Sequence, residues 1–418
     1  MWLYQLMYAT SISIYHFGIG IASLVNKKAS KWVKGRKNVF QNLEAQNLSD
    51  CIWMHCSSLG EFEQGRPLLE AIKKNNTNQK ILLTFFSPSG YEVRENYEFV
   101  DHVCYLPKES KGNATKFLQI VQPKLAIMVK YDLWFRYVQA LDNAKIKTIL
   151  ISAVFRAGQI YFKPQGKLFK YMLHVMHTIY VQDEGSKKLL NGIDYESAII
   201  AGDTRIDQVL QFTPNQLPSY LISPSPNDKK FTLCIGSLQP EDEQAVIPYL
   251  NNRNGQLKCI LAPHTTSKTY ITKLQKKITL KTKLFSQLET EESKNFWLDD
   301  TEVLIVDNIG WLQTLYSLAD AAFVGGAFKS GLHNTLEPAA AELPITFGPF
   351  YHKFNEAATM IDKGGAHSVK DLLSFSAIMD EYLLSKDKCK EDGAKNLAYL
   401  QENKGATEII MSNSIAQV

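Results

Sequence analysis

Short, continuous apolar runs recur along the chain at residues 51–56, 80–86, 124–129, 147–152, 178–181 and 198–201, and again at 231–235, 257–262, 303–306, 319–324 and 343–347. Runs of this length without polar alternation fit strands buried on both faces, as in a parallel sheet covered by helices. The stretches between them carry helical spacing; after residue 56, Leu68, Leu69 and Ile72 fall on one face, with Pro67 near the start. Strands alternating with helices predict βαβ units and a doubly wound parallel sheet. Residues 213–230 break the pattern with Pro214, Pro218, Pro224 and Pro226 and no periodicity, which marks a linker between two α/β halves. The expected organisation is therefore a first domain over 38–212, a linker over 213–230, a second domain over 231–395 and a helical tail over 396–418. The charge-rich residues 273–294 predict a helical surface.

The first 26 residues contain no Asp, Glu, Lys or Arg, enough to cross about 30 Å of hydrocarbon as a helix. Lys27, Lys28, Lys31, Lys34, Arg36 and Lys37 follow at once. A signal peptide carries its charges before the apolar segment, so residues 1–37 read as an anchor with a basic flank, leaving the body of the protein in the cytoplasm. Tyr4, Gln5, Tyr8, Thr10, Ser11, Ser13, Tyr15 and His16 make the segment only moderately apolar, and a helix lying in the membrane interface stands beside a span as a reading. The basic flank would attract anionic lipid in either case.

With 418 residues, 45% hydrophobic and 21% charged, the chain can bury two cores. A net charge of +4 gives no global field for nucleic acid. Cys51, Cys56, Cys104, Cys234, Cys259 and Cys389 form no C-x-x-C pair or zinc spacing, which implies a reducing compartment and no metal. His55, His174 and His177 have no acidic or thiol partner at ligand spacing and read as packed or exposed.

Candidate chemistry concentrates in residues 324–349, VGGAFKSGLHNTLEPAAAELPITFGP. Gly325, Gly326 and Gly331 let the backbone turn sharply after a strand or approach a ligand closely. Asn334 is an N-cap candidate, Glu337 stands three residues on as in a capping box, and Pro338 suits a first turn. A helix start attracts phosphate, and a carboxylate beside it fits the hydroxyls of a ribose, which together point to a nucleotide. An ordinary strand, turn and capped helix is the plain alternative. Turns at Gly236 with Ser237, Pro263 with His264, and residues 308–311 end other strands of the same half, where ligands of open α/β sheets bind. In the first half, SSLGE puts Glu61 just past the first strand, placed to take a proton from a hydroxyl, or else only to favour the helix dipole. Asp132 offers a hydrogen-bond acceptor to the second substrate, or a partner to Lys130. Arg205 stands ready for a carboxylate or phosphate, or for a salt bridge to Asp203 or Asp207.

Residues 324–349 as a set resemble the donor-binding segment of glycosyltransferases with the GT-B fold, most closely the 3-deoxy-D-manno-octulosonic acid (Kdo) transferases. SSLGE resembles their S-V-G-E motif, whose glutamate is the catalytic base, with Leu59 in place of valine. KYDLWFRY is similar to E-T-E-L-W-P-N at Asp132, Leu133 and Trp134, but Lys130 replaces the first glutamate and Phe135 the proline. Ser152, Ala153 and a displaced Arg156 resemble a serine-alanine-arginine region, and GDTRID resembles G-N-L-K-F-D with Arg205 for lysine. Ile309, Gly310 and Trp311 resemble the loop beside the cytosine base. Pro263 and His264 loosely match the start of A-P-R-H-P-E-R, so that His264 or Lys268 must stand in for its arginine.

The resemblance implies an α/β protein of the GT-B fold, with two Rossmann-like doubly wound domains facing a central cleft and an N-terminal membrane-anchor helix. It implies an inverting transfer of Kdo from CMP-Kdo to a lipid A precursor, lipid IVA, in lipopolysaccharide biosynthesis at the cytoplasmic face of the inner membrane. Glu61, Asp132 and Arg205 are the implied catalytic residues. Pro263, His264, Ile309, Gly310, Trp311, Asn334, Thr335, Leu336 and Glu337 are implied to hold CMP, with no cofactor and no metal. The nearest alternative is another membrane-bound GT-B enzyme using a UDP-sugar and a different lipid acceptor, and the departures at Lys130 and His264 keep an inactive, lipid-tethered nucleotide-binding module as a second.

Overall fold

A computed structural model describes residues 2–222, 230–290, 295–297, 300–329 and 331–417. Residues 223–229 of the expected linker and 291–294 of the expected surface helix lie outside the described residues. Two compact units divide the chain: residues 1–208 with 403–418, and residues 209–402.

The first unit is built on seven parallel strands, β1 (Ile52–Cys56), β2 (Ile81–Phe85), β3 (His102–Tyr105), β4 (Leu125–Val129), β5 (Lys147–Ala153), β6 (Thr178–Val181) and β7 (Ala198–Ile200), in the order β3-β2-β1-β4-β5-β6-β7. Alternate residues of one strand serve opposite cores. Trp53, Leu82, Ala126 and Met128 pack on one face, and Ile52, Met54, Leu83, Ile127 and Val129 on the other. That two-sided burial is why each strand reads as an unbroken apolar run. The helix Leu59–Asn75 after β1 sends Phe62, Leu68, Leu69 and Ile72 to the Met54 face. The helix Phe135–Asn143 after β4 sends Phe135, Tyr137, Val138 and Leu141 to the Trp53 face. The chain thus leaves the adjacent strands β1 and β4 in opposite directions, which opens a crevice at their C-terminal ends.

The second unit repeats the plan with β8 (Phe231–Leu238), β9 (Leu257–Pro263), β10 (Thr282–Leu284), β11 (Val303–Ile305), β12 (Ala321–Val324), β13 (Ile345–Phe347) and β14 (Ala366–Ser368), in the order β10-β11-β9-β8-β12-β13-β14, all pairings parallel. After β8 the helix Glu243–Asn251 packs Ala245, Val246 and Leu250 on the Leu233 face. After β12 the chain brings Leu343 to the opposite face, with Cys234 and Ile260. The reversal falls between β8 and β12.

The apolar runs missed β3, β10 and β14. β10 also interrupts the stretch expected to be helical, which forms the helix Lys268–Lys277, then β10, then the helix Phe285–Thr290. The last residues return to the first unit. Asp207 accepts hydrogen bonds from Gly405 N (2.6 Å) and Thr407 N (2.7 Å), Tyr180 Oη lies 2.7 Å from Ser414 Oγ, and Ala406 and Ile410 are buried.

The N-terminal helix Trp2–Ala22 packs by its aromatic polar residues. Tyr8 donates to the Glu109 carboxylate (2.9 Å) and accepts from Phe135 N (3.3 Å). Trp2, Leu3, Met7, Ile14, Phe17 and Ile21 remain exposed. Among the described residues no single helix is long and apolar enough to cross a membrane, although this helix and Lys27–Lys34 pass together as a pair bent by 117°. Arg36 corrects the reading of the basic flank. It is 7% exposed and donates to the carbonyls of Leu106 (2.8 Å), Trp32 (3.0 Å) and Phe86 (2.7 Å), so it is withdrawn from any lipid surface.

Candidate active site

Trp53, His55 and Ser57 alternate along β1 and its continuation, so they share one side of the strand. Two of the three, His55 and Ser57, reach Asp132 in the turn after β4, while the Trp53 indole donates to Thr84. His55 Nε2 lies 3.2 Å from Asp132 Oδ2, Trp134 Nε1 donates to the same oxygen at 3.2 Å, and the Ser57 hydroxyl donates to it as well. Burial pushes the Asp132 carboxyl up, but the hydrogen bonds and charge of His55 and the donors Ser57 and Trp134 outweigh it and hold the group below its ordinary value. Asp132 forms no ion pair with Lys130, which settles one alternative left by the sequence. The next residue, Ser58, precedes the helix Leu59–Asn75 and donates its hydroxyl to the half-buried Glu61 carboxylate in the first turn. Consecutive serines therefore tether two carboxylates at the mouth of the β1–β4 crevice.

Arg205 has the salt bridge that the plain reading expected. Its guanidinium binds Asp203 through Nε (3.0 Å) and Nη2 (2.5 Å), while Asp207 is occupied by the C-terminal helix. Thr204 ties this turn to Ser152 Oγ (3.1 Å) at the end of β5 and to the Gln64 carbonyl of the helix after β1.

In the second unit, the buried Asp242 gathers the turns after β8 and β12, accepting from Gln239 N (2.8 Å) and Gly326 N (2.9 Å) through Oδ2. Burial raises its carboxyl above the ordinary value. A Cβ on Gly325 would stand 2.3 Å from Ser237 O and 2.6 Å from Asp242 Oδ2, which is the close approach that needs glycine. His264, beyond the Pro263 end of β9, stacks on His333 with ring centroids 4.6 Å apart, and His333 Nε2 lies 2.8 Å from Gln239 Nε2. Burial and then the neighbouring His264 push His333 down to about 4.

The expected capping box takes a different form. The helix is Leu336–Ala340, five residues with Thr335 as its cap residue, too short to develop the full dipole. Asn334 still accepts from Leu336 N (3.1 Å), but its amide donates to Glu337 Oε1 (2.9 Å), so the box closes between side chains. Beyond β11, Ile309 is 89% exposed, Gly310 has φ +99°, and Trp311 packs on Phe285 (5.3 Å). Asp242 Oδ1, Asn308 Oδ1 and Thr335 Oγ1 are buried without a hydrogen-bond partner. Such orphaned oxygens call for a partner that the chain does not supply.

The family model for 3-deoxy-D-manno-octulosonic acid transferase (kdotransferase) matches residues 31–208. The 3-deoxy-D-manno-octulosonic acid transferase of Aquifex aeolicus is 26% identical over 361 residues, 85% of this chain and 92% of the relative. That of Haemophilus influenzae is 27% identical, over 86% of this chain and 85% of the relative. Over most of its length the chain is similar to these Kdo transferases. It is accordingly a glycosyltransferase. MurG from Acinetobacter baumannii (TM-score 0.56, 11% identity, 87% of this chain and 98% of that one) and UDP-GlcNAc 2-epimerase from Neisseria meningitidis (TM-score 0.58, 14% identity, 87% and 99%) share its fold, which is GT-B.

Within this GT-B fold, the sequence passed over His55, Asp242 and His333 as site residues. A histidine inside the otherwise apolar run 51–56 was the available signal, because a buried imidazole must find partners. Asp242 gave none, since an acidic residue before a helix is ordinary capping chemistry.

Proposed function

We propose that the protein transfers Kdo from CMP-Kdo to a hydroxyl of the lipid A precursor lipid IVA, with inversion at the anomeric carbon and Glu61 as general base. Similarity to the Kdo transferases supports the sugar. The observation that carries the catalytic assignment is that Ser57 and Ser58, adjacent in the turn after β1, hold Asp132 and Glu61 at the edge where ligands of open sheets bind. The acceptor oxygen bonds to the anomeric carbon, its proton passes to Glu61, and the bond from that carbon to the CMP phosphate breaks with its electron pair going to the phosphate. Asp132 accepts a hydrogen bond from the acceptor sugar, and Arg205, bridged to Asp203, supplies a cation for a sugar carboxylate or phosphate. CMP is held in the second unit by Pro263, His264, Ile309, Gly310, Trp311, Asn334, Thr335, Leu336 and Glu337. Glu337 takes the ribose hydroxyls, and His264 occupies the position of the family's arginine near phosphate. No metal takes part. The helix Trp2–Ala22, with Trp2, Leu3, Met7, Ile14 and Phe17 exposed along it, anchors the enzyme at the cytoplasmic face of the inner membrane beside its lipid acceptor.

Mass spectrometry of lipid IVA incubated with the purified protein and CMP-Kdo tests the reading, the expected product carrying added Kdo. Glu61→Ala should lower transfer by about 10²- to 10⁴-fold while CMP binding is kept. Unimpaired turnover in that variant rejects Glu61 as the base, and no sugar added by the wild-type protein rejects the substrates.

A further inference from the structure

His55 is 1% exposed and sits directly across from Thr84 in the β1–β2 register. Its Nδ1 lies 2.9 Å from Thr84 Oγ1 and 3.2 Å from Thr84 O, and Trp53 Nε1 donates to Thr84 Oγ1 at 2.9 Å. That Nε2 carries a proton follows from its partner. A neutral ring with its proton on Nδ1 would aim the Nε2 lone pair at a carboxylate 3.2 Å away, which repels. The remaining neutral tautomer and the imidazolium both carry a proton on Nε2. In the neutral form the donors run in one direction, from the Trp53 indole to Thr84, from the Thr84 hydroxyl to His55 Nδ1, and from His55 Nε2 to Asp132 Oδ2.

The asymmetry of Asp132 gives this relay a purpose. His55, Ser57 and Trp134 all end on Oδ2, and among the described residues no hydrogen bond ends on Oδ1, although the side chain is 24% exposed at the crevice. The structural aspartates nearby use both oxygens. Asp207 gives Oδ1 to Gly405 and Oδ2 to Thr407, and Asp203 gives both to Arg205.

We propose that His55 is a positioning residue for glycosyl transfer: backed by Thr84, it fixes Asp132 through one oxygen so that the other is presented to the acceptor sugar. The inference rests on the reading of Asp132 as an acceptor-side group. The hydrogen bonds on Oδ2 also favour the ionised carboxylate, the form that accepts from a sugar hydroxyl. A carboxylate left to rotate loses the geometry on which transfer depends, and a misplacement of about 1 Å is enough to cost about a hundredfold in rate.

The test uses the full chain with CMP-Kdo and lipid IVA, in His55→Leu, His55→Gln, Asp132→Asn and the double variant His55→Leu with Asp132→Asn. CMP affinity and thermal unfolding are followed alongside as controls on the fold. His55→Leu should lower kcat by about 10- to 100-fold with the donor KM within about twofold, and His55→Gln, whose terminal amide reaches toward Oδ2, should recover most of the rate. The double variant should be no slower than Asp132→Asn alone, because the two residues act as one unit. A folded His55→Leu within about twofold of the wild-type kcat overturns the proposal, as do losses that multiply in the double variant. Should His55→Leu not fold, His55→Asn takes its place: its amide stops short of Oδ2, and equal rates for Asn and Gln overturn the proposal. Asp132→Asn at the wild-type rate removes the acceptor-side reading beneath it, whereas an inactive Asp132→Asn beside a fully active His55→Leu removes only the role of His55. A wild-type chain that transfers nothing removes the functional reading itself.

Discussion

Replacing Arg36 with methionine separates a structural cation from a lipid-binding one. The guanidinium makes three hydrogen bonds, to Leu106 O, Trp32 O and Phe86 O, and its central carbon lies 3.9 Å from the Trp32 ring centroid. Burial lowers its pKa to about 10, which leaves it charged at neutral pH. Methionine keeps the apolar stem but leaves three carbonyls without their donor, at roughly 1–3 kcal/mol each. Release of the guanidinium's desolvation offsets part of this, and a net loss of about 3–4 kcal/mol follows. For a domain of this size, that is a fall in Tm of roughly 10 °C. The damage should reach the crevice, because Phe86 stacks on Trp134 (centroids 4.5 Å apart, interplanar 23°), and Trp134 holds Asp132. Chemical denaturation followed by tryptophan fluorescence measures the stability, and flotation with vesicles of anionic lipid measures the surface role. Lys28→Met and Lys34→Met, at exposed sites, should leave stability within about 0.5 kcal/mol and weaken vesicle binding. Arg36→Met should do the reverse. An Arg36→Met protein within about 1 kcal/mol of the wild type, bound more weakly to vesicles, refutes the argument.

The His333 ring gives the second unit a pH dependence of definite sign. Its folded pKa of about 4 lies below the ordinary histidine value, so between roughly pH 6.5 and 4 the unfolded chain binds a proton that the folded unit refuses. Stability should fall as pH drops through that window, by about 1–2 kcal/mol once the partial exposure of the ring is allowed for. Urea unfolding at pH 7.5 and 4.5 should show this loss in the wild type and a smaller one in His333→Gln, equal losses counting against the assignment. Gly325→Ala forces a methyl against Ser237 O and Asp242 Oδ2 and should destabilise the second unit by about 2–3 kcal/mol, together with a loss of CMP affinity by calorimetry. Gly112→Ala, which meets nothing within 4 Å inside the helix Lys111–Val121, should be neutral or stabilising, and equal effects of the two substitutions would contradict the packing argument.

Every strand with two neighbours was legible in the sequence, and of the four edge strands only β7 was. Central strands are buried on both faces and appear as apolar runs. β3, β10 and β14 escaped notice, and each lies at the edge of its sheet, where one neighbour suffices and His102, Lys283 or His367 is tolerated. Glu61 was legible because its place depends only on the strand just before it. The partnership of His55 with Asp132 spans 77 positions and exists because β4 lies beside β1, an adjacency that periodicity does not encode.

Backbone strain marks the same edges from a different direction. Lys130, Ser152 and Ser237 hold φ of +65°, +55° and +55°, a left-handed conformation unusual for residues with a Cβ. Each stands at or near the C-terminal end of a strand, after β4, within β5 and within β8, and the register shifts in β5 and β8 at the two serines. Nothing in their residue types announces this, as a glycine would have. Such conformations persist only where surrounding contacts impose them, here as at Asp50, Gln122, Lys145, Asp194 and Glu342 in turns elsewhere in the chain. Lys130, which stands where the resembled motif has its first glutamate, has its backbone held by a bond from its N–H to Ile151 O at 2.8 Å. That backbone bond holds the turn leading to Asp132 independently of the charge carried by the side chain at position 130.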